Sequence, residues 1–403
     1  MKLLILSQYF SPESFIINDI VRTLVAQGHE VVVATGKPNY PDGRIFTGYR
    51  AWGCQRERFL GEVDVLRVPL WPRGAGGAKN MVLNYLSFVF AGLIFFPWLL
   101  RKRQFDAILV FAPSPIIQAI PAIVLKWIKK ARLSLWIQDL WPESLAATGF
   151  VKNRYLLRMV GGLVRGIYSC CDQLLVQSHA FIDPVAAYAS RSKIVYYPNS
   201  VDVHSPNVSV PIPHELSSLL ESHFCVVFAG NLGTAQALNT LVQAAMHLRD
   251  DAGIRLVLVG SGSRLEWLKE QKQAHDLNNL ILPGRFPAEA MLEVFARSSA
   301  LLVSLNDESI FSQTIPSKIQ AYLAAGKPII ACLNGEGSRI VQEAGAGFSS
   351  PAEQVLPLVA TIRKMQSLTE VEREEMGRSG REYFDQHFEM GRQVSRLVEL
   401  LRD

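Results

Sequence analysis

The chain has 403 residues, 49% apolar and 19% charged, an ordinary globular composition that excludes a disordered or low-complexity chain and is long enough for two domains with their own cores. Its five cysteines (Cys54, Cys170, Cys171, Cys225 and Cys332) are odd in number and form no C-x-x-C pair, so neither a disulfide framework nor a metal site is expected. The net charge of +5 hides an asymmetry: residues 1–200 carry 23 Lys+Arg against 12 Asp+Glu and the rest 18 against 24, as expected of two domains with different partners.

KLLILS opens the chain as a strand, being too short and too poorly flanked for a signal peptide. SFIINDIVRTLVAQG has helical spacing and stops at Gly28, and HEVVVAT follows as a second strand. Such a βαβ opening builds a parallel sheet. Further strands are read at 64–70, 106–112, 132–138, 172–178 and 193–198, with helices between them.

One stretch departs from this alternation. MVLNYLSFVFAGLIFFPWLL (81–100) carries no charge over a spanning length and is followed by Arg101, Lys102 and Arg103. A true span would divide one sheet across a bilayer. Two readings stay open: a buried helix, or a helix lying in one leaflet with its basic end at the headgroups. On the second reading Phe88, Phe95 and Trp98 meet lipid, and Lys126, Lys129 and Lys130 of the next helix join the basic face. The basic residues lie beside an apolar helix rather than aromatic stacking platforms, so nucleic acid is not an expected partner.

HSPNVSVPIPHEL (204–216) reads as a linker, after which the alternation restarts with CVVFAG, IRLVLVGSG, NLILPG, ALLVSL and KPIIACL. The tail from Val371 reads as two helices. The expected organisation is a 1–203 domain, a 204–222 linker, a 223–380 domain, and a 381–403 helix returning to the first domain. The fold class is α/β: two tandem Rossmann-like, doubly wound domains facing a central cleft, with ligands beyond the carboxyl ends of the strands.

Several loops at those strand ends could carry chemistry. In TIPSKIQAYLAAG a helix start offers free N–H groups, the hydroxyls of Thr314 and Ser317, and the charge of Lys318, all suited to an anion. AGNLGT brings Gly230, Asn231, Gly233 and Thr234; GSGSR brings Gly260; PGRFP brings Arg285. Neither G-x-G-x-x-G after a first strand nor a Walker sequence occurs, so a nucleotide diphosphate is expected rather than a dinucleotide or ATP P-loop site. In the front half, QYFSPESFIIND holds Glu13 and Asn18, and IQDLWPES holds Asp139 and Glu143. These are candidates for acceptor binding or base work, and equally for caps or ion pairs. Trp136 and Trp141 beside Asp139 suit a sugar ring.

The two α/β halves, PNSVD (198–202), LVGSG, the G-x-x-P turn at 284–287 and the PSK helix resemble the family-4 retaining glycosyltransferases of GT-B fold across essentially the whole chain. SQYFSPESFIINDIV, GHEVVVATGKPNYPDG, QDLWPES and TIPSKIQAYLAAGKPI resemble, more narrowly, the WbuB-like branch of N-acetyl-L-fucosamine transferases of bacterial O-antigen assembly. The resemblance implies a UDP-sugar donor in the C-terminal domain and a lipid-linked saccharide acceptor, a polyprenyl-diphosphate sugar, in the N-terminal one. It also implies retention of configuration, no required cofactor or metal, and peripheral or monotopic attachment to the cytoplasmic face of the inner membrane, an anionic surface. Lys318, Gln313 and Asp139 would be catalytic. The sequence departs from the family where GNLGTAQAL lacks the usual basic pair, and where the two family glutamates fall on Gln313 and Ala321. Two rivals stay open: a UDP-sugar 2-epimerase of the same fold, and a non-catalytic partner in polysaccharide assembly.

Overall fold

The computed structural model describes residues 1–74, 77–147, 153–202 and 210–402. The chain forms two compact units: Met1–Asn199 with Met390–Asp403, and Ser200–Glu389.

The first unit is built on eight strands: β1 Lys2–Leu6, β2 Glu30–Thr35, β3 Gln55–Phe59, β4 Val63–Arg67, β5 Ala107–Ala112, β6 Arg132–Ile137, β7 Gln173–Val176 and β8 Ile194–Tyr196. They lie in the order β3-β4-β2-β1-β5-β6-β7-β8, all parallel except β3, which runs antiparallel to β4. The central strands are apolar throughout because both faces are covered, the usual cause of unbroken apolar runs in parallel sheets. Among the described residues of this run the α-helices are α1 Ile16–Ala26, α2 Ala78–Leu99, α3 Ile120–Lys129, α4 Glu143–Ala147, α5 Arg154–Cys170 and α6 Ile182–Ala186. One core packs Leu4, Leu6 and Leu135 under Phe88 and Phe96 of α2, Leu125 of α3 and Val164 of α5. The core on the other face packs Leu3, Ile5 and Trp136 against Ile17 and Ile20 of α1 and against the last helix of the chain.

The second unit has six strands: β9 Phe224–Asn231, β10 Ile254–Ser261, β11 Leu280–Gly284, β12 Ala300–Ser304, β13 Ile329–Cys332 and β14 Gly347–Ser350. Their order is β11-β10-β9-β12-β13-β14, all parallel. Its helices are α7 His214–Ser222, α8 Leu238–His247, α9 Leu265–Ala274, α10 Ala288–Arg297, α11 Ser309–Ser312, α12 Ser317–Ala325, α13 Glu336–Glu343, α14 Val355–Ser367 and α15 Glu370–His387. The final helix, α16 Met390–Arg402, belongs to the first unit. There Val394, Leu397, Val398 and Leu401 are buried, and Tyr197 Oη donates to the Gln393 carbonyl at 3.2 Å.

The boundaries differ from the sequence reading. The second unit runs to Glu389, not 380. Residues 204–209 of the expected linker lie outside the described residues, and its later part is helix α7, with Leu216 and Leu220 buried.

The α2 helix resolves into two faces. Phe88, Val89, Ala91, Gly92 and Phe96 are buried, and Gly92 is needed for contact with α3, since a β-carbon there would stand 2.8 Å from Pro121 Cγ. Asn84 is its buried polar residue: it accepts from Gln8 Nε2 at 2.7 Å and donates to the Trp71 carbonyl at 2.6 Å. The opposite face carries Val82, Leu86, Phe90, Ile94 and Trp98, spaced four apart and all exposed. Such spacing makes one stripe along a helix.

Candidate active site

In the second unit the carboxyl ends of β9 and β10 come together on glycine. Gly230 and Gly260 pair in register, and a β-carbon on Gly260 would stand 1.8 Å from the Gly230 carbonyl oxygen. Both have φ in the left-handed half of the map, at 132° and 148°, so each position suits glycine for backbone as well as space. They line a groove of about 490 Å³ with Asn231, Ser261, Phe286 and the exposed Arg285. The loop beyond β9 is pinned from β12: Asn306 accepts from the Ala237 amide at 3.0 Å and donates to the Thr234 carbonyl at 3.1 Å.

The α12 helix starts above this loop. No side chain caps its N-terminus, and Pro316 leads into it extended. Thr314 Oγ1 donates to the Ile310 carbonyl at 3.3 Å, and Ser317 is exposed. The helix is fixed to the sheet by Tyr322, whose hydroxyl accepts from the Ala229 amide at 3.0 Å and donates to its carbonyl at 3.4 Å. That side of β9 is open there because its pairing with β12 ends at Phe228. Lys318 therefore reaches back over the glycine loop. Its ammonium lies 3.6 Å from the Phe228 ring centroid and donates to Gln236 Oε1 at 2.5 Å. Among the described residues no carboxylate lies within ion-pair distance of it. Burial alone pushes its pKa down to about 7. A helix start without a side-chain cap, glycine backbone and a half-buried lysine with no counter-ion among the described residues are features that suit an anion.

Gln313 closes α11 just before α12, its amide donating to the Ser309 carbonyl at 3.3 Å. Ala321 packs against the apolar core, and the neighbouring Gln320 is buried.

In the first unit Asp139 follows β6. Its carboxylate accepts from Trp141 Nε1 at 3.2 Å and has the hydroxyls of Ser144 and Ser114 beside it, the Ser144 hydroxyl donating to the Leu140 carbonyl at 2.8 Å. Burial holds its carboxyl above the ordinary range despite these donors. Glu143 is exposed at the start of α4, 3.4 Å from the Tyr188 hydroxyl.

Glu13 and Asn18, the other acceptor-side candidates, are engaged with backbone groups. Glu13 is buried and accepts from the amides of Tyr40 at 2.7 Å, Asn39 at 2.9 Å and Phe10 at 3.3 Å. Asn18 donates to the Glu13 carbonyl at 2.7 Å and accepts from the Ser11 amide at 2.9 Å. Both order the loops after β1 and β2, whose amides lack sheet partners.

The expected membrane residues divide as well. Phe88 is core, and Phe95 is half-buried against it. Arg103 pairs with Asp64, Lys126 with Asp172 at 2.6 Å, and buried Lys129 donates to the carbonyls of Leu100 and Arg103 at 2.6 and 2.8 Å. Phe88, Arg103, Lys126 and Lys129 thus hold structural contacts within the first unit rather than a free membrane face. Trp98, Arg101, Lys102 and Lys130 remain exposed, with the Arg101 guanidinium 4.8 Å from the Trp98 ring. Trp127, beside these lysines, is exposed as well, and the sequence reading did not single out the exposed Phe90, Ile94 and Ile128, nor Tyr155, Leu156, Met159 and Leu163 on α5. The four-residue spacing on α2 was the available signal.

Comparison with known proteins agrees with this geometry. Residues 15–200 match the family model described as glycosyl transferase 4-like domain, and residues 217–383 that of glycosyl transferases group 1. The chain is 25% identical over 345 residues to a protein of Escherichia coli (strain K12) named for colanic acid biosynthesis, glycosyl transferase WcaI, covering 81% of this chain and 82% of that one. It is 22% identical over 327 residues to a Pseudomonas aeruginosa protein named as glycosyltransferase WbjE, covering 77% and 78%. Among solved structures, Anabaena HepE in complex with UDP superposes with a TM-score of 0.66 at 13% identity, covering 100% of this chain and 99% of that one. Sucrose-phosphate synthase of Thermosynechococcus elongatus gives 0.70 at 15% identity, covering 100% and 98%.

Proposed function

The chain belongs to the family-4, group 1 glycosyltransferases of GT-B fold, and from that premise we propose that it moves a sugar from a UDP donor, with retention of configuration, onto a polyprenyl-diphosphate-linked N-acetylhexosamine. The donor sugar proposed is N-acetyl-L-fucosamine, on the resemblance of the QDLWPES and TIPSKIQAYLAAGKPI stretches. The observation that carries the donor half is Lys318, enclosed over Gly230 with no acidic partner among the described residues. The UDP held by HepE supports the same reading.

In this mechanism the diphosphate lies on the α12 start, the glycine loop and Lys318, with Arg285 at the groove's edge. Negative charge gathers on the leaving diphosphate as the glycosidic bond breaks. A fixed cation and free amides there favour the transition state over the ground state. The sugar passes through an oxocarbenium-like state. The acceptor hydroxyl attacks on the same face, and its proton goes to the leaving phosphate. Gln313 hydrogen-bonds the donor sugar. Asp139 orients the acceptor hydroxyl, and Glu143 lies at the rim of that site. No step calls on a resident metal.

The lipid side rests on the bare apolar faces of α2, α3 and α5, which belong to one wall of the first unit. Arg101, Lys102, Lys130, Arg154, Arg158 and Arg165 stand exposed around them, as suits a helix wall lying on anionic lipid at the cytoplasmic face of a membrane.

The test is product mass. Detergent-purified protein is offered UDP-, GDP- and dTDP-sugars, including UDP-N-acetyl-L-fucosamine, with a polyprenyl-diphosphate N-acetylglucosamine analogue. A lipid product heavier by one sugar residue is expected. A donor converted at unchanged mass would make the protein an epimerase. Folded protein that neither binds UDP nor converts any donor would make it a non-catalytic partner.

A further inference from the structure

Arg73 follows β4 and stands among three tyrosines. Its guanidinium carbon lies 5.2 Å from the Tyr9 ring centroid, 5.3 Å from that of Tyr40 and 5.5 Å from that of Tyr85. Its Nη2 donates to the hydroxyls of Tyr9 and Tyr85. Its Nε is enclosed and has no hydrogen-bond partner, and among the described residues no carboxylate pairs with it. The loop is held in place, not draped: the Arg73 amide donates to Asn39 Oδ1 at 3.3 Å, and the Gly74 amide to the Gly43 carbonyl at 2.8 Å.

A half-buried guanidinium with its Nε enclosed and no counter-ion among the described residues is costly, and tyrosine faces offset only part of that cost. The missing partner is an anion. Nη2 already donates to both phenols, so a phosphate oxygen would meet the unpartnered Nε–H, and the two phenols can each donate a proton to the same phosphate.

The placement narrows the ligand. Tyr9, Tyr40 and Arg73 follow β1, β2 and β4, so they stand together at the carboxyl edge of the sheet. Tyr85 belongs to α2, and its neighbour Leu86 is part of the exposed stripe Leu86–Phe90–Ile94–Trp98. A phosphate at Arg73 would thus have an apolar track of about 18 Å running away from it, at 1.5 Å per residue. We propose that the Arg73–tyrosine cage receives the diphosphate of a prenyl-diphosphate ligand whose hydrocarbon follows the bare face of α2. This rests on the lipid-linked acceptor reading above and gives that acceptor its head-group site.

The experiment titrates full-length protein with farnesyl diphosphate below its micelle concentration, with farnesol and with inorganic pyrophosphate. UDP is first titrated alone, then kept saturating so that the Lys318 site is filled. Absence of UDP binding would sink the donor reading by itself, and the prenyl titrations would then be run on Lys318→Ala protein. Farnesyl diphosphate is expected to bind more tightly than either farnesol or pyrophosphate. Arg73→Gln should weaken it about tenfold or more, and Arg73→Lys should restore part of the loss. Tyr85→Phe keeps the ring and should weaken it a few-fold with unchanged melting temperature. Unchanged affinity in folded Arg73→Gln and Tyr85→Phe would overturn the proposal. Equal binding of farnesol would overturn the phosphate role. Equal binding of pyrophosphate would overturn the lipid source and make this a free-phosphate site.

Discussion

Lys318 lies across the α-carbon of Gly230: a β-carbon at 230 would stand 2.8 Å from Lys318 Cε. The lysine therefore occupies the space that a side chain at 230 would need. Gly230→Ala must displace the ammonium and also adopt a φ of 132° that suits glycine. The expected result is a loss of UDP affinity of about tenfold, roughly 1.4 kcal/mol, by calorimetry. Unchanged affinity would mean that the lysine does not meet the nucleotide.

Removing that ammonium should be felt in turnover. Lys318→Ala is expected to raise the barrier by about 2–4 kcal/mol, the scale of losing one charge-stabilising donor. Near-normal turnover at saturating donor would refute the anion site.

The pH dependence follows from the same group. Lys318 titrates near pH 7 in the folded protein, well below an unfolded lysine, so the folded state holds fewer protons between those two values. Folding stability should thus fall as pH drops from about 10 towards 7 and level off below. Lys318→Met should flatten that slope. A bound diphosphate favours the ammonium, so UDP should bind with proton uptake at pH 8. Calorimetry in two buffers of different ionisation enthalpy measures that uptake, and Lys318→Met should abolish it.

Asp139 titrates the other way, its carboxyl lying above the ordinary range because it is buried. It favours the folded state while protonated, and that contribution is lost as pH rises through its folded value. Asp139→Asn should therefore melt at or above the parent temperature at pH 7. Its transfer rate should fall about a hundredfold, the scale of a misplaced acceptor hydroxyl, with UDP affinity intact. Lost UDP affinity would move Asp139 to the donor side.

The two faces of α2 predict opposite outcomes. Phe88 is fully buried, and Phe88→Ala should cost about 3–5 kcal/mol of stability. Phe90 and Ile94 are 61% and 66% exposed, so Phe90→Ser with Ile94→Ser should leave the melting temperature nearly unchanged. On vesicles containing anionic lipid the pair should lose about 1.5 kcal/mol or more of binding per side chain. Equal flotation of variant and parent would remove α2 from the membrane.

Much of this was legible in the sequence because parallel strands buried on both faces read as apolar runs, as β1, β5, β6 and β9 do. Strand β3 was not. Its sequence, QRERF, has no apolar alternation, and it is held by charge: Arg56 and Arg58 to Asp64, and Glu57 to Arg67. Strand β14 and helix α14 also went unread, GFSS being short and mostly polar. The PSK helix stood out as a candidate anion site because lysine, helix start and loop glycines sit in recognisable local motifs. The Arg73 cage did not, since it joins a residue after β4 to one 64 positions earlier. Lys126, Lys129 and Arg103 looked like one headgroup face. Asp64, Asp172 and two carbonyls, all distant in the chain, had already taken them.

The placement of α16 has a consequence for the order of synthesis. Val394 and Leu397 fill a core whose other members include Leu3, Ile5 and Trp136. The sheet that emerges first from the ribosome therefore keeps one face partly uncovered while all of Ser200–Glu389 is made. The second unit, continuous in the chain, can close before the first. A nascent chain stalled at residue 389 should hold a finished second unit beside a first unit still exposing apolar surface, a state prone to capture by chaperones.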